Sequence, residues 1–269
     1  MDDPSVSVIA NPWHALRQFT QARIALGRSG VSVPTSAQLA FQLDHARARD
    51  AVHLALDAQA LAQTLALAGH ECITVHSAAP DRQTYLRRPD LGRQLDAASR
   101  RTLEQRAPQP CDLALVVADG LSALAIEQNV QPFLELLLAR LGQAGQVRAS
   151  LAPIVIATQA RVAIGDEIGQ CLNARAVVVL IGERPGLSSP DSMGLYLTWA
   201  PRVGMLDASR NCISNVRPAG LSYEAAAYTL HYLLSEARKR GSSGLALKDE
   251  TLPQDILDSE APSNFLLKD

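Results

Sequence analysis

The chain has 269 residues, of which 47% are hydrophobic and 19% charged, and its formal net charge is −2. A chain of this length can bury a sizeable core, either as one large domain or as two small ones. The nearly balanced charge argues against a nucleic-acid-binding protein that depends on bulk electrostatics.

Neither a membrane span nor a signal peptide is expected from the sequence. No apolar stretch is long enough to cross a bilayer, and residues 1–10 are acidic and lack the apolar segment of a signal peptide. The four cysteines (Cys72, Cys111, Cys171 and Cys212) form no C-x-x-C pair and fit no zinc site. We therefore expect a soluble cytoplasmic protein with reduced cysteines and no metal ligands, which binds neither nucleic acid nor membrane.

The first hundred residues have the pattern of a mostly helical region. Residues 13–26 carry apolar side chains at helical spacing, and the following G-R-S-G is typical of a helix end. Pro34 and the two residues after it offer a start signal for a second helix, and residues 57–67 predict a third. We therefore predict a helical N-terminal region over residues 1–105.

The pattern changes after the A-P-Q-P stretch at residues 107–110. Short apolar runs at residues 113–118, 154–157 and 176–181 alternate with predicted helices at residues 132–141, 166–172 and 222–240. Such alternation is typical of a parallel sheet covered on both faces by helices. We therefore predict a three-layer α/β domain over residues 106–250. The polar tail at residues 251–269 is either disordered or a docking segment.

Three segments that follow the apolar runs are candidate ligand contacts, because open parallel sheets bind ligands beyond the carboxyl ends of their strands. They are residues 119–122, 182–187 and 210–215. Each has the composition of an ordinary turn as well. Glu183 is the most informative residue, since it follows an apolar run and Gly182 directly. Its carboxylate could accept hydrogen bonds from ligand amides, pair with Arg184 or remain exposed.

Several common site motifs are absent from the sequence. It contains no G-x-G-x-x-G, no phosphate-binding P-loop, no H-E-x-x-H and no G-x-S-x-G. The six histidines are scattered along the chain. The residues alone therefore predict an α/β domain with a crevice and no complete catalytic set.

Seven stretches, taken in order, resemble the light-chain (small-subunit) family of ethanolamine ammonia-lyase. The similarity covers residues 13–250, nearly the whole chain, and the ordered set is more specific than any one motif. The stretches are A-R-I-A-L-G-R (22–28), D-H-A-R-A-R-D (44–50), Y-L-R-R-P-D-L-G-R (85–93), V-A-D-G-L-S (117–122), R-V-A-I-G-D-E-I-G (161–169), G-E-R-P-G-L (182–187) and C-I-S-N (212–215).

The resemblance implies a Rossmann-like domain and an enzyme that converts ethanolamine to acetaldehyde and ammonia by radical chemistry with adenosylcobalamin. In that family the substrate site and the upper face of the corrin belong to the barrel of the large subunit. The small subunit is not catalytic alone and helps to enclose the cofactor at the subunit interface. The resemblance also implies a hetero-oligomer of six large and six small chains, in the cytoplasm and either free or inside a bacterial microcompartment.

Three cofactor contacts are implied by the matched stretches, namely Val162, Glu183 and Cys212, whereas no catalytic residue or metal ligand is implied. The valine and the cysteine would pack on the cofactor, and the carboxylate would accept hydrogen bonds from corrin amides. No D-x-H-x-x-G occurs, so a bound cobalamin would keep its own dimethylbenzimidazole on cobalt. Two alternatives stay open: a purely structural assembly subunit without cofactor contact, and a free-standing nucleotide-binding α/β domain. The subunit hypothesis predicts an exposed apolar face on the isolated chain.

Overall fold

A computed structural model describes residues 8–106, 110–142 and 150–251. Residues 252–269, which make up most of the predicted tail, and residues 107–109 lie outside the described residues. The helices are α1 (Thr35–His53), α2 (Ala58–Leu67), α3 (Arg82–Arg87), α4 (Ala97–Arg106), α5 (Ala123–Leu141), α6 (Ile164–Cys171) and α7 (Tyr223–Arg240). The strands are β1 (Cys72–His76), β2 (Cys111–Ala118), β3 (Ile154–Thr158), β4 (Ala174–Gly182), β5 (Met193–Trp199) and β6 (Arg210–Val216). Short 3-10 helices span Pro12–Phe19, Leu91–Arg93, Asp207–Ser209 and Gly244–Ala246.

All six strands form one sheet in the order β1-β3-β2-β4-β5-β6. The first four strands in this order run parallel, whereas β5 and β6 are antiparallel to their neighbours. Helices α2, α5 and α7 cover one face, and α4 and α6 cover the other. The predicted Rossmann-like, three-layer α/β fold is therefore confirmed, although the sheet is mixed and not purely parallel.

From Leu113 in β2 and Ala176 in β4 onward, both strands are continuously apolar because both of their faces are buried. In β2, Leu113, Leu115 and Val117 pack against the α5 side. Ala114, Val116 and Ala118 pack against the α6 side. This two-sided burial explains why the strongest strand signals in the sequence come from continuous apolar runs.

The N-terminal region differs from the sequence-based prediction in two places. The predicted helix over residues 13–26 ends at Phe19, where Thr20 becomes extended, and Ala25 and Gly27 then take positive φ values (51° and 78°) and turn the chain back. Arg28 then pairs with Ile9 through two backbone hydrogen bonds of 2.7 and 2.9 Å. Strand β1 is not predicted, since this edge strand has five residues, of which only Ile73 and Val75 are buried, and so has no apolar run.

Strands β5 and β6 are likewise not predicted from the sequence patterns. β6 is a polar edge strand in which three of the seven residues are exposed, so it has no apolar run. The segment at residues 210–215 is consequently part of a strand and not a loop after one. Helix α5 begins at Ala123 and contains Pro132 within it, whereas the proline had indicated a start there.

The predicted ends of α7 agree with the structure. Ser222 precedes the helix, and its hydroxyl oxygen accepts a hydrogen bond from the Ala225 N–H (3.3 Å). Gly241 ends the helix in the left-handed conformation with φ 65°, which glycine adopts without steric strain. Within the described ranges, no helix is both long enough and apolar enough to cross a membrane.

Candidate functional site

The candidate site is a cleft of about 450 Å³ at the carboxyl ends of the parallel strands. β2 and β3 lie side by side, but α5 leaves β2 on one face of the sheet and α6 leaves β3 on the other. A crevice opens where neighbouring connections diverge in this way. The residues after β2, β3 and β4 line it, together with Tyr85, Tyr196 and Ser214.

A buried aspartate ties the ends of β2 and β3 together. Asp119 is only 2% exposed, and its carboxylate accepts hydrogen bonds of 2.9 Å from the backbone N–H groups of Gln159 and Ala160. Burial raises the pKa of Asp119, while these two N–H groups and the Arg82 guanidinium act in the opposite direction. Arg82 also donates to the carbonyl oxygens of Gly120 (2.8 Å) and Val52 (2.7 Å), so α3 is fixed to the same loop.

Two glycines allow the tips of β2 and β4 to approach closely. Gly120 has φ 56°, and a Cβ there would overlap the Gly182 carbonyl oxygen and lie 2.5 Å from Ile181 Cγ1. That carbonyl oxygen accepts a hydrogen bond from the Leu121 N–H (2.9 Å). A side chain at either glycine would therefore force the two strand ends apart and change the shape of the cleft.

Tyr85 and Arg161 form another wall of the cleft, and Arg82 stacks on the same tyrosine ring. The guanidinium groups of Arg82 and Arg161 lie 4.8 and 4.2 Å from the centre of the Tyr85 ring. The Arg161 backbone N–H donates to the Gly92 carbonyl oxygen (2.7 Å), and the Tyr85 hydroxyl donates to Ala160 O (3.1 Å). These contacts fix the orientation of Arg161 at the edge of the cleft.

Glu183 lies directly after β4, at the strand tip where the pattern predicts it. Its carboxylate accepts hydrogen bonds from the hydroxyl groups of Ser192 and Ser214 and from the Asn215 backbone N–H (3.1 Å). Its own N–H donates to the Ser192 carbonyl oxygen (2.9 Å). The side chain is therefore held in one orientation on the cleft wall.

Val162 and Cys212 occupy different positions relative to the cleft. Val162 lines it directly and packs against the core on the α6 side. Cys212 lies opposite Tyr196 in the β5–β6 register, and the Tyr196 ring lines the cleft. Partial burial raises the pKa of the Cys212 thiol, a hydrogen bond from Tyr196 lowers it and the Glu183 carboxylate raises it. The thiol therefore stays protonated at neutral pH.

The structure brings Val162 and Glu183 into the lining of one cleft and places Cys212 next to it, opposite Tyr196. Sequence patterns did not single out Ser192 or Tyr196, because both depend on the unpredicted strand β5. Ser214 lies within a segment that was a candidate, but nothing in its composition indicated a contact with Glu183. Only the antiparallel pairing of β4, β5 and β6 brings these residues together.

A larger cavity of about 650 Å³ lies between the N-terminal segment and α1 and reaches residues 187–190. We regard the smaller cleft as the candidate site because it lies at the strand ends and contains the fixed carboxylate. In the described parts of the chain, no group of three or more His, Cys, Asp or Glu residues is arranged to hold a metal ion. The cleft can thus bind and orient a ligand through the Glu183 carboxylate, the two lining arginines Arg161 and Arg184, and apolar walls.

Comparison with known proteins identifies the family. The model for the family "Ethanolamine ammonia-lyase light chain (EutC)" matches residues 10–248. The chain is 58% identical over 254 residues to the ethanolamine ammonia-lyase small subunit of Ralstonia nicotianae, covering 92% of both chains. It is 57% identical over 266 residues to that of Pseudomonas putida strain W619, covering 97% of this chain and 96% of the relative. It is also 57% identical over 262 residues to that of Pseudomonas aeruginosa, covering 96% and 94%. The chain therefore belongs to the ethanolamine ammonia-lyase light-chain family, the small subunits of an ammonia-lyase.

Proposed function

We propose that this chain helps to bind adenosylcobalamin at an interface with a large catalytic subunit, in an enzyme that deaminates ethanolamine to acetaldehyde and ammonia. The observation that carries the proposal is the fixed Glu183 carboxylate on the wall of the strand-end cleft. When bound, adenosylcobalamin supplies radical chemistry through homolysis of its cobalt–carbon bond, and the protein supplies binding and orientation.

The residues present fit part of such a cofactor. Corrin carries side-chain amides whose N–H groups complement a carboxylate acceptor, and Val162 offers an apolar contact for the ring or the benzimidazole. A cleft of about 450 Å³ is of the size that holds a drug-sized ligand. A corrin with its nucleotide is far larger, so this chain would cover only part of it. That mismatch supports a site shared with a second chain.

An exposed apolar surface supports assembly with the large subunit. Most of the exposed large apolar side chains in the described chain lie within residues 8–54, and they include Trp13 (66% exposed), Leu39 (58%) and Leu43 (51%). Helix α1 has one buried residue, Ala51, among its 19 residues. A surface of this kind on one face marks a protein interaction site. We propose that residues 8–54, which we name the N-terminal surface, contact the large subunit.

Two leucine substitutions test this contact. Leu39→Ala removes a side chain from the N-terminal surface, whereas Leu245→Ala removes one that is 82% exposed elsewhere. Burying a leucine stabilises an interface by about 1.5–3 kcal/mol, which corresponds to roughly 10- to 100-fold in affinity. We expect Leu39→Ala to weaken assembly with the large subunit in sedimentation experiments and Leu245→Ala to leave it unchanged. Equal behaviour of the two variants would contradict the assignment of this surface.

A free-standing nucleotide-binding function is less well supported by the geometry. Phosphate sites at a strand-to-helix turn use unpaired backbone N–H groups. In the turn after β2, the N–H groups of Leu121, Ser122 and Ala125 already donate to Gly182 O, Asp119 O and Ser122 Oγ. This turn therefore has few donors left for a phosphate.

Reconstitution with the large subunit tests the function. We would measure acetaldehyde release from ethanolamine with added adenosylcobalamin, with and without this chain. We expect activity only when both chains and the cofactor are present. Full activity of the large chain alone would make this chain an accessory. The mass of the active complex tests the expected six-plus-six composition, and fractionation of cells tests whether it is free in the cytoplasm or inside a microcompartment.

Cofactor affinity separates a binding role from a purely structural one. Losing a hydrogen bond to a charged group costs about 1.5–3 kcal/mol, so we expect Glu183→Ala to weaken adenosylcobalamin affinity roughly 10- to 100-fold in the assembled enzyme. Glu135→Ala, at an exposed position on α5, is the matched control and should bind normally. If variants at Val162, Glu183 and Cys212 all keep the wild-type affinity, the chain has only a structural role.

A further inference from the structure

The Glu183 carboxylate has an unequal distribution of hydrogen-bond donors. Oε2 accepts from the Ser192 hydroxyl and from the Asn215 N–H, whereas among the described residues Oε1 accepts from the Ser214 hydroxyl alone. Each carboxylate oxygen has about two acceptor sites. Both sites on Oε2 are therefore occupied, and one site on Oε1 remains for a further donor.

A β-bulge in β6 delivers two of these donors. Leu195 pairs with Ile213, but Met193 pairs with Val216, so β6 contains one extra residue between the two pairs. Asn215, at the bulge, has φ 62°, which is uncommon for a residue other than glycine. Its side-chain oxygen accepts a hydrogen bond from Arg217 Nε (2.9 Å), which supports this conformation. Bulges commonly redirect a side chain or backbone group at a functional site.

The free acceptor site also depends on a glycine. Gly194 lies in β5, and a Cβ at this position would be 2.8 Å from Glu183 Oε1 and 3.1 Å from Glu183 Cγ. The absence of a side chain at residue 194 therefore lets the Glu183 carboxylate lie where its Oε1 can receive a further donor. Glu183 and Ser214 also line the cleft, so a ligand in the cleft can reach this carboxylate.

We propose that Ser192 and Ser214 are positioning residues, which hold the Glu183 carboxylate so that one acceptor site on Oε1 receives an amide N–H of the cofactor. This inference rests on the proposed function of the cleft. The two hydroxyl groups and the bulged N–H fix the carboxylate before the cofactor arrives, so little side-chain freedom is lost on binding. The serines act through Glu183 and do not themselves contact the cofactor.

A double-mutant cycle in the complex with the large subunit tests this inference. Spectroscopic titration with adenosylcobalamin gives the affinity of Ser214→Ala, Glu183→Ala and the double variant. We expect Ser214→Ala to weaken binding roughly 3- to 10-fold, because the carboxylate is kept but must be ordered when the cofactor binds. In the Glu183→Ala background, Ser214→Ala should then change the affinity by less than about twofold, since coupled residues are not additive. Ser192→Ala should behave in the same way.

Three further variants separate positioning from general stability. Ser214→Thr keeps the hydroxyl group and should restore most of the affinity. Ser235→Ala, on α7, removes a serine hydroxyl that donates to a helical carbonyl oxygen away from the cleft and should not change binding. Gly194→Ala keeps both serines, but its Cβ would collide with the Glu183 carboxylate and displace it, so we expect it to weaken binding as much as Glu183→Ala does. Urea unfolding of each complex shows whether stability changes in parallel.

The affinities of these variants separate a failure of the positioning role from a failure of the proposed cofactor contact. If Glu183→Ala itself leaves the affinity unchanged, the proposed cofactor contact is wrong and the positioning role fails with it. If Glu183→Ala weakens binding but neither serine variant does, the contact stands and the positioning role is wrong. If the serine effects add fully to that of Glu183→Ala, the serines contact the cofactor themselves, which also overturns the inference.

Discussion

A substitution at Gly120 tests whether the close approach of the β2 and β4 tips requires a glycine there. Its φ of 56° is in the left-handed region, and a Cβ would overlap Gly182 O and lie 2.5 Å from Ile181 Cγ1. The left-handed conformation costs a residue with a Cβ about 1–2 kcal/mol. Forcing an extra methyl group into a packed site costs about 1–3 kcal/mol more. We therefore expect Gly120→Ala to lower the free energy of unfolding by about 2–5 kcal/mol.

Gly241 is the matched control for this substitution. It has a similar φ of 65°, but a Cβ there would meet only Trp199 Nε1, at 3.9 Å, which is an ordinary contact. Gly241→Ala should thus lower the free energy of unfolding only by the cost of the left-handed conformation, about 1–2 kcal/mol. Equilibrium urea unfolding of the full-length chain measures both values. If Gly120→Ala is no more destabilising than Gly241→Ala, the close approach of the β2 and β4 tips does not limit the structure as we describe.

Further predictions concern a buried ion pair and the Cys212 thiol. Arg210 and Asp166, whose side chains are 2% and 3% exposed, form a two-pronged ion pair (2.5 and 2.8 Å) between β6 and α6. Asp166→Ala should lower the free energy of unfolding by about 3–5 kcal/mol, because it leaves the buried Arg210 guanidinium without its main partner. The double variant Asp166→Leu with Arg210→Met should lose much less stability, since no buried charge remains. Equal losses of stability in the single and double variants would contradict this expectation. Because the pKa of Cys212 is raised, its alkylation followed by mass spectrometry should be slow at pH 7 and accelerate only above the ordinary thiol pKa of about 8.5. Rapid alkylation at pH 7 would show a reactive thiolate instead.

The sequence predicts well those elements whose neighbours bury them on both sides. β2 and β4 are continuous apolar runs because helices cover both faces of the sheet. Helix α7 has a capping serine and a terminal glycine, so its ends are also predictable. β1 and β6 are edge strands with polar residues, and each is identified as a strand only by its pairing with a neighbouring strand, β3 and β5 respectively. Local patterns cannot report such pairing.

In the candidate site, too, some residues have a local sequence signal and others depend on strand pairing. Glu183 was identifiable because a carboxylate directly after a buried run and a glycine lies at a strand tip. The donors that hold it, Ser192 and Ser214, come from β5 and β6 and meet Glu183 only through two antiparallel pairings and a bulge. Neither their spacing in the chain nor their residue type indicates this contact.

A cryo-electron microscopy structure of this chain assembled with its large subunit and adenosylcobalamin would show directly whether the two chains share the cofactor site. We expect cobalamin at the subunit interface, against Val162, Glu183 and Cys212, with a corrin amide nitrogen within hydrogen-bond distance of Glu183 Oε1. A cofactor enclosed by the large subunit alone, with the strand-end cleft of this chain facing solvent, would contradict this expectation.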